Sequence, residues 1–287
     1  MNSTSVGWTR RAVLAIGAAA TVVWSASAED LPWRLPKLRR VKVHNQYIAY
    51  YEIGSGPPLV LIHGGSGSPA MEWGRVIMPL SRRFKVIAPY LIGFGPSDQP
   101  DLPYDAETFV DYLGGFLNAR RAHGAAIVGE SFGGWVVSHY VMRQGEKSSW
   151  GEALPRISRL VFVDAAVQLH PGQGGGAEDS VNNPSVAKLA YNFYKSLPQT
   201  DNSLVMKAVG PHEINQQVTD SQLRKITTPT LVIWGREDKI LPLEDGRHIA
   251  AQIPGARLEI IDNTGHIPAL EQPRAFIEAI EGFLTRV

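Results

Sequence analysis

Ala125-Ala126-Ile127-Val128-Gly129-Glu130-Ser131-Phe132-Gly133-Gly134 is the stretch that decides how this chain folds. It opens as a short apolar run with the look of a buried strand, and turns at a serine set between glycines. It then continues through Trp135, Val136, Tyr140 and Val141 at helical spacing. A strand that reverses directly into a helix brings the two backbones almost into contact two residues either side of the corner. Gly129 and Gly133 have no Cβ to clash there. The corner residue is expected in a strained conformation that projects the Ser131 hydroxyl from the carboxyl end of the sheet. The first turn of the helix aims its free N–H groups and positive dipole end back at that serine, where an oxyanion would form. Glycine and serine also make ordinary turns, but the strand before and the helix after favour a nucleophile elbow.

Upstream, Arg40–His44 and Tyr47–Ile53 alternate like a two-stranded hairpin with Asn45 in its turn. Leu59-Val60-Leu61-Ile62 is a continuous apolar run of the kind found in a central parallel strand. It ends in His63-Gly64-Gly65-Ser66-Gly67-Ser68. A glycine-rich loop at a strand's carboxyl end lets bare backbone N–H groups approach a ligand. A phosphate cradle is the competing use, but the Gly-Lys-Ser/Thr ending of a P-loop is missing. Phe84–Ala88 is the next strand. Asp105–Arg121 reads as a helix with Phe109, Tyr112, Leu113, Phe116 and Leu117 on one face. Alternation of strands and helices argues for a parallel sheet covered on both faces.

The 287 residues are enough for one large α/β domain with an insertion, or at a stretch two small domains. With 44% hydrophobic and 19% charged residues, the composition is that of an ordinary globular protein. Cysteine is absent, which removes disulfides, thiolate metal sites and cysteine nucleophiles together. Residues 1–28 read as an export leader: Arg10-Arg11, a mild apolar run through Trp24, and Ala26-Ser27-Ala28 before Glu29. The pattern resembles a bacterial twin-arginine signal and implies an exported, periplasmic or secreted protein. The apolar run falls short of the roughly 20 residues that span a bilayer, so no stable membrane insertion is expected once the leader is gone. Its loss takes the formal charge from +1 to about −1, no basis for binding nucleic acid. Residues 29–39 read as a linker.

Five motifs in order carry a resemblance to a known family. They are His63-Gly64-Gly65, Gly93-Phe94-Gly95-Pro96-Ser97-Asp98, Gly129–Gly134, Trp234-Gly235-Arg236-Glu237-Asp238 and Gly265-His266-Ile267-Pro268. Together they resemble the α/β-hydrolase fold, from about Arg40 to Val287. The resemblance implies a mostly parallel central sheet with helices on both faces and a small helical cap. The core would run over 40–166 and 229–287, with the cap over 167–228. One departure is Tyr90, where relatives usually carry an acid opening the Gly-x-Gly-x-Ser turn.

The order Ser131, Asp238, His266 is the order this fold uses for a catalytic triad. A serine hydroxyl is a poor nucleophile at neutral pH, so His266 would take its proton and later return one to the leaving group. Asp238 would fix the imidazole tautomer and stabilise the imidazolium. Gly65 and Phe132 would supply the oxyanion N–H groups. Asp164, ending the strand Leu160–Val163, is an alternative acid. His139 and His248 fall in helices, His44 and His123 in turns, and His170 and His212 in the insertion, where contact with substrate is open. No H-E-x-x-H or similar cluster appears, so neither a catalytic metal nor a cofactor is expected.

Between Ala165 and Thr228 the strand–helix rhythm breaks. Asn183-Pro184 can cap a helix, followed by Val186, Leu189, Ala190, Phe193 and Leu197 at helical spacing. Such a cap would lie over the carboxyl ends of the strands, where ligands of open sheets bind. Tyr191, Phe193, Tyr194 and Met206, with His63 and Ser66, are candidates for substrate contact; packing the cap onto the domain is the competing role for the four cap residues. The leading expectation is a metal-free serine esterase acting on a small or medium, mostly uncharged molecule. A carbon–carbon bond hydrolase of ring-cleavage products is the alternative. Such a substrate carries a carboxylate and calls for a cation, for which Arg224, Lys188, Lys195 and Lys207 are available. An aromatic residue often follows the histidine in that group, and here Ile267 does. A cofactor-free haloperoxidase or perhydrolase and a non-catalytic small-molecule receptor stand further off. The sequence leaves the oligomeric state open.

Overall fold

The computed structural model describes residues 33–169, 173, 179–197, 202, 205, 207–209, 212 and 215–285. The leader at 1–28, the start of the linker, His170 and Met206 lie outside the described residues. No helix among those described is long and apolar enough to cross a membrane.

Eight strands form one sheet. They are β1 (Arg39–Val43), β2 (Gln46–Ile53), β3 (Pro58–Ile62), β4 (Lys85–Pro89), β5 (Ala126–Glu130), β6 (Arg159–Val163), β7 (Thr230–Gly235) and β8 (Arg257–Ile261). Their spatial order is β1-β2-β4-β3-β5-β6-β7-β8. β2 pairs antiparallel with β1 and with β4, and every other pairing is parallel. After β3 the chain steps one way to β4, then crosses back past β3 to β5. The loops leaving β3 and β5 therefore part at the switch in direction, where open α/β sheets hold their ligands.

Strand periodicity separates two apolar layers. Val60 and Ile62 of β3, Ile127 of β5, and Val232 and Trp234 of β7 face one side. Leu59, Leu61, Val128, Leu231 and Ile233 face the other. α3 (Ala106–Ala119) and α4 (Phe132–Arg143) cover the first side with Phe109, Phe116, Trp135 and Tyr140. The second is covered by α1 (Pro69–Trp73), α2 (Ile77–Leu80) and the carboxyl-terminal α9 (Pro273–Leu284), through Trp73, Ile77, Phe276 and Ile280. Each such side chain contributes about 1.5–3 kcal/mol on burial, and the two layers hold the sheet rigid beneath its loops.

The cap helix α5 (Pro184–Ser196) starts where the sequence indicates: Asn183 caps it by accepting the Ser185 and Val186 N–H groups. It buries Val186 and Ala190 against Ile267 and Leu270, so it rests on the segment that follows His266. Farther along, Gln216 O accepts from Trp135 Nε1 at 3.0 Å and lies 2.6 Å from His139 Nε2, fastening the end of the cap to α4. The short helices α6 (Asp220–Leu223) and α7 (Leu243–Gln252) follow, and α8 (Pro268–Glu271) succeeds the β8 loop.

Candidate active site

Ser131 sits at the corner between β5 and α4 with φ 48° and ψ −118°, a conformation L residues rarely adopt. Its N–H donates to Val163 O at 3.0 Å, and its carbonyl accepts from Gly134 and Ala166 N–H groups at 2.8 and 2.9 Å. Those bonds over-determine the strained corner. The glycines matter as the spacing implies. A Cβ on Gly129 would stand 2.5 Å from Gly133 O, and one on Gly133 would meet Ile62 O at 2.6 Å and His63 O at 2.5 Å. Both are backbone atoms with no room to yield.

His266 enters from the loop after β8 and Asp238 from the loop after β7. His266 Nε2 lies 2.8 Å from Ser131 Oγ, and Nδ1 lies 2.8 Å from Asp238 Oδ2. A carboxylate only accepts, so Nδ1 carries the proton and Nε2 is left to accept from the serine hydroxyl. Asp238 Oδ1 accepts from Ile240 and Leu241 N–H groups at 2.8 and 3.1 Å, and the side chain is closed to solvent. These bonds fix the carboxylate plane and so the imidazole.

The backbone N–H groups of Gly65 and Phe132 have no acceptor among the described residues. Phe132 opens α4, and a Cβ on Gly65 would find nothing within 4 Å. Gly64 sits against the nucleophile, since its Cβ would approach Ser131 Cβ to 2.8 Å. Two free donors beside a serine hydroxyl make the kind of hole that stabilises a tetrahedral oxyanion.

A family model described as "Alpha/beta hydrolase family" matches residues 59–279. The chain belongs to that family.

Among curated relatives, this α/β hydrolase is 30% identical over 260 residues to the 2-hydroxy-6-oxo-2,4-heptadienoate hydrolase of Pseudomonas putida, covering 82% of this chain and 91% of the relative. It is also 30% identical over 260 residues to the 2-hydroxymuconate semialdehyde hydrolase of Pseudomonas sp. strain CF600, covering 82% and 89%. Among solved structures, a meta-cleavage product hydrolase from Pseudomonas fluorescens IP01 superposes with a TM-score of 0.73 at 26% identity, over 87% of this chain and 97% of that one.

The α/β hydrolase departs from the sequence expectations at several positions. His63 is not at a substrate surface: it is completely buried, its Nδ1–H donates to Gly64 O at 2.8 Å, and its Nε2 accepts from Leu91 N–H at 3.0 Å. Burial lowers its pKa to about 4, so the ring is a neutral strut between the β3 and β4 loops. Phe193 stacks on Trp33 at 5.1 Å, and Tyr191 is 59% exposed with Lys195 over its ring. Ser66 and Tyr194 do line a common small recess, with Gly67, Ser68, Tyr90, Gly95, Pro96, Leu197 and Asn202. Tyr90 is buried, with its hydroxyl 3.5 Å from that of Tyr51. His212 is half-buried in the cap, and its carbonyl accepts from Gln216 N–H at 2.7 Å.

Asp164 lies beside the acid rather than in its place. It ends β6, its φ is 40°, and its Oδ1 accepts from Gly235 N–H at 2.8 Å. Burial, then the neighbouring Asp238, push its carboxyl well above the usual range. Asp164, Asp238 and His266 bring three ligand-type atoms within 4.8 Å of one another.

Three further acids escaped the sequence reading. Glu72 and Glu130 are buried next to the nucleophile. Glu271 accepts from Gly265 N–H at 2.7 Å, Thr264 Oγ1 at 3.2 Å and Asn183 N–H at 2.9 Å, tying the histidine loop to the start of the cap helix. The readable signal was Glu130: an acid inside an otherwise apolar strand, one residue before the serine.

Proposed function

We propose that this α/β hydrolase cleaves an ester of a small or medium, mostly uncharged molecule through an acyl-enzyme on Ser131. His266 takes the Ser131 proton as Oγ attacks the carbonyl carbon. Gly65 and Phe132 N–H groups hold the developing oxyanion. The imidazolium, steadied by Asp238, then protonates the departing alcohol. Water enters, gives its proton to His266, and releases the acid by the same route.

The observation that carries this reading is the continuous Ser131–His266–Asp238 hydrogen-bond chain in acidic surroundings. No Lys or Arg among the described residues is paired with a triad member. The available cations lie elsewhere: Arg224 donates to Gln252 at the surface, and Lys188, Lys195 and Lys207 are exposed. A carboxylate-bearing substrate would find no cation paired with the triad among the described residues, whereas a neutral ester needs none.

Carbon–carbon bond hydrolysis is the second reading, favoured by what the two Pseudomonas relatives are named for. A panel of p-nitrophenyl esters of rising acyl length, run beside a 2-hydroxy-6-oxo-dienoate, separates the two. Ester turnover lost in Ser131→Ala supports the first reading. Dienoate cleavage with no ester turnover would replace it by the second. Export by the twin-arginine leader is part of the proposal, and cell fractionation with Arg10 and Arg11 both changed to Lys tests it.

A further inference from the structure

Two buried acids beside the nucleophile take no part in the relay. Glu72, on α1, and Glu130, the last residue of β5, are 1% and 2% exposed. Glu72 Oε2 accepts the Gly64 N–H at 2.7 Å, and its Oε1 accepts the Ser66 hydroxyl. Both donors belong to the loop that carries Gly65. Glu130 comes up against the same Gly64, which places the two buried carboxyls close enough to act on each other's charge. A Cβ on Gly64 would fall 2.2 Å from Glu130 Oε2, an oxygen with no donor among the described residues. Glu130 Oε1 lies 3.7 Å from His266 Nε2.

Two neighbouring carboxylates buried inside a protein strongly disfavour both being charged, so the pair holds a proton. Glu72 already accepts two hydrogen bonds, which favour its charged form. Glu130 accepts none among the described residues, and the nearby Asp164 and Asp238 raise it further. The proton therefore belongs on Glu130. Burial, reinforced by Glu72, Asp164 and Asp238, pushes the Glu130 carboxyl well above the usual range. Burial also raises Glu72, while its loop hydrogen bonds and nearby His266 act the other way. The buried Arg75, three residues beyond Glu72, gives an Nη1–H to Leu270 O at 2.6 Å.

We propose that Glu72 is a positioning residue for the oxyanion loop, acting as the charged half of a carboxyl pair whose proton sits on Glu130. By holding Gly64 and Ser66 it leaves the Gly65 N–H turned toward the reacting carbonyl. The neutral Glu130 keeps a second charge away from Nε2, where it would stabilise the imidazolium in the resting enzyme and draw the ring off Ser131. The role rests on the acyl-enzyme reading above.

Fluorophosphonate labelling of Ser131 tests it without a known substrate, because the phosphonyl oxygen uses the same donors. Glu72→Met leaves Gly64 N–H without an acceptor. It is expected to lower the limiting labelling rate about 100-fold, with half-saturation held within about twofold. Glu72→Gln recovers most of the rate: its amide oxygen still accepts from Gly64, and the Ser66 hydroxyl turns to accept from the amide. An unchanged limiting rate in Glu72→Met, or a loss confined to half-saturation, overturns the role. If Glu72→Met does not fold, Ser66→Ala removes one tether alone. It should slow labelling severalfold, and an unchanged rate overturns the proposal.

The proton is read separately by infrared spectroscopy at neutral pH. A protonated-carboxyl band should be present in the wild type and lost in Glu130→Gln. A spectrum that Glu130→Gln leaves unchanged places the proton elsewhere and overturns the pair. A wild type that takes up no fluorophosphonate sinks the acyl-enzyme reading, while the infrared measurement still tests the pair.

Discussion

Acidification from about pH 7.5 to about pH 5 is expected to cost the wild type stability that a His63→Asn variant keeps. His63 is fully buried between β3 and the β4 loop, with both ring nitrogens engaged by Gly64 and Leu91. Its pKa is lowered from 6.5 to about 4. Between those values the unfolded chain binds a proton that the native ring refuses, so stability rises with pH across that window. The contribution is full above the unfolded value and is lost as pH falls toward the folded one. The whole gap is worth about 3 kcal/mol, and about 2 kcal/mol of it is gone at pH 5. Glu72, Glu130 and Asp164 run the other way: their folded values are raised, so they favour the native state at low pH and cost stability as pH rises. Those terms are shared by both proteins and cancel in the difference. Urea unfolding of each protein at both pH values gives the comparison. The stability gap between wild type and His63→Asn should shrink by about 2 kcal/mol on going to pH 5. A gap of the same size at both pH values would mean that His63 is not a buried neutral strut.

Other expectations concern the relay and its frame. Ser131→Ala should lower hydrolysis by about 10⁶-fold while leaving the unfolding midpoint in place, and appreciable residual turnover would remove Ser131 as nucleophile. Asp238→Asn should cost about 10⁴-fold in kcat by stranding the imidazole in the wrong tautomer, whereas Asp164→Asn, which can still accept from Gly235 N–H, should cost less than about tenfold. The reverse ranking in steady-state kinetics would move the acid to the end of β6. Gly133→Ala should destabilise the fold by about 1–3 kcal/mol in denaturant titration, because its methyl lands on the backbone of β3. No loss would contradict the close approach at the elbow.

Much of this site was legible because its signals are local. The elbow announces itself in ten consecutive residues, Asn183-Pro184 carries its own cap, and each triad member follows a readable apolar run. The β1–β2 hairpin turns where Asn45 stands, with His44 taking the positive φ of 52°. What stayed hidden depends on packing between distant segments. Glu72 reads as an ordinary acid in the first turn of a short helix; Gly64, Ser66 and Glu130 are what enclose it. His63 adjoins Gly64-Gly65 and so looked ligand-facing, yet its ring turns inward to Leu91. Phe193 stacks on Trp33, more than 150 residues away in sequence, a contact that no local pattern announces.

Glu271 accepts in one grip from the histidine loop and from Asn183, while the His266 N–H donates to Ser180 O at 3.1 Å. Specificity and reactivity thus share a hinge pin in this enzyme. Transplanting a foreign lid to change what it digests would loosen the imidazole unless the splice left Ser180 and Asn183 with the host. Junctions cut downstream of Asn183 should give chimaeras with altered diet and intact turnover; cuts upstream of Ser180 should give proteins that bind and do nothing.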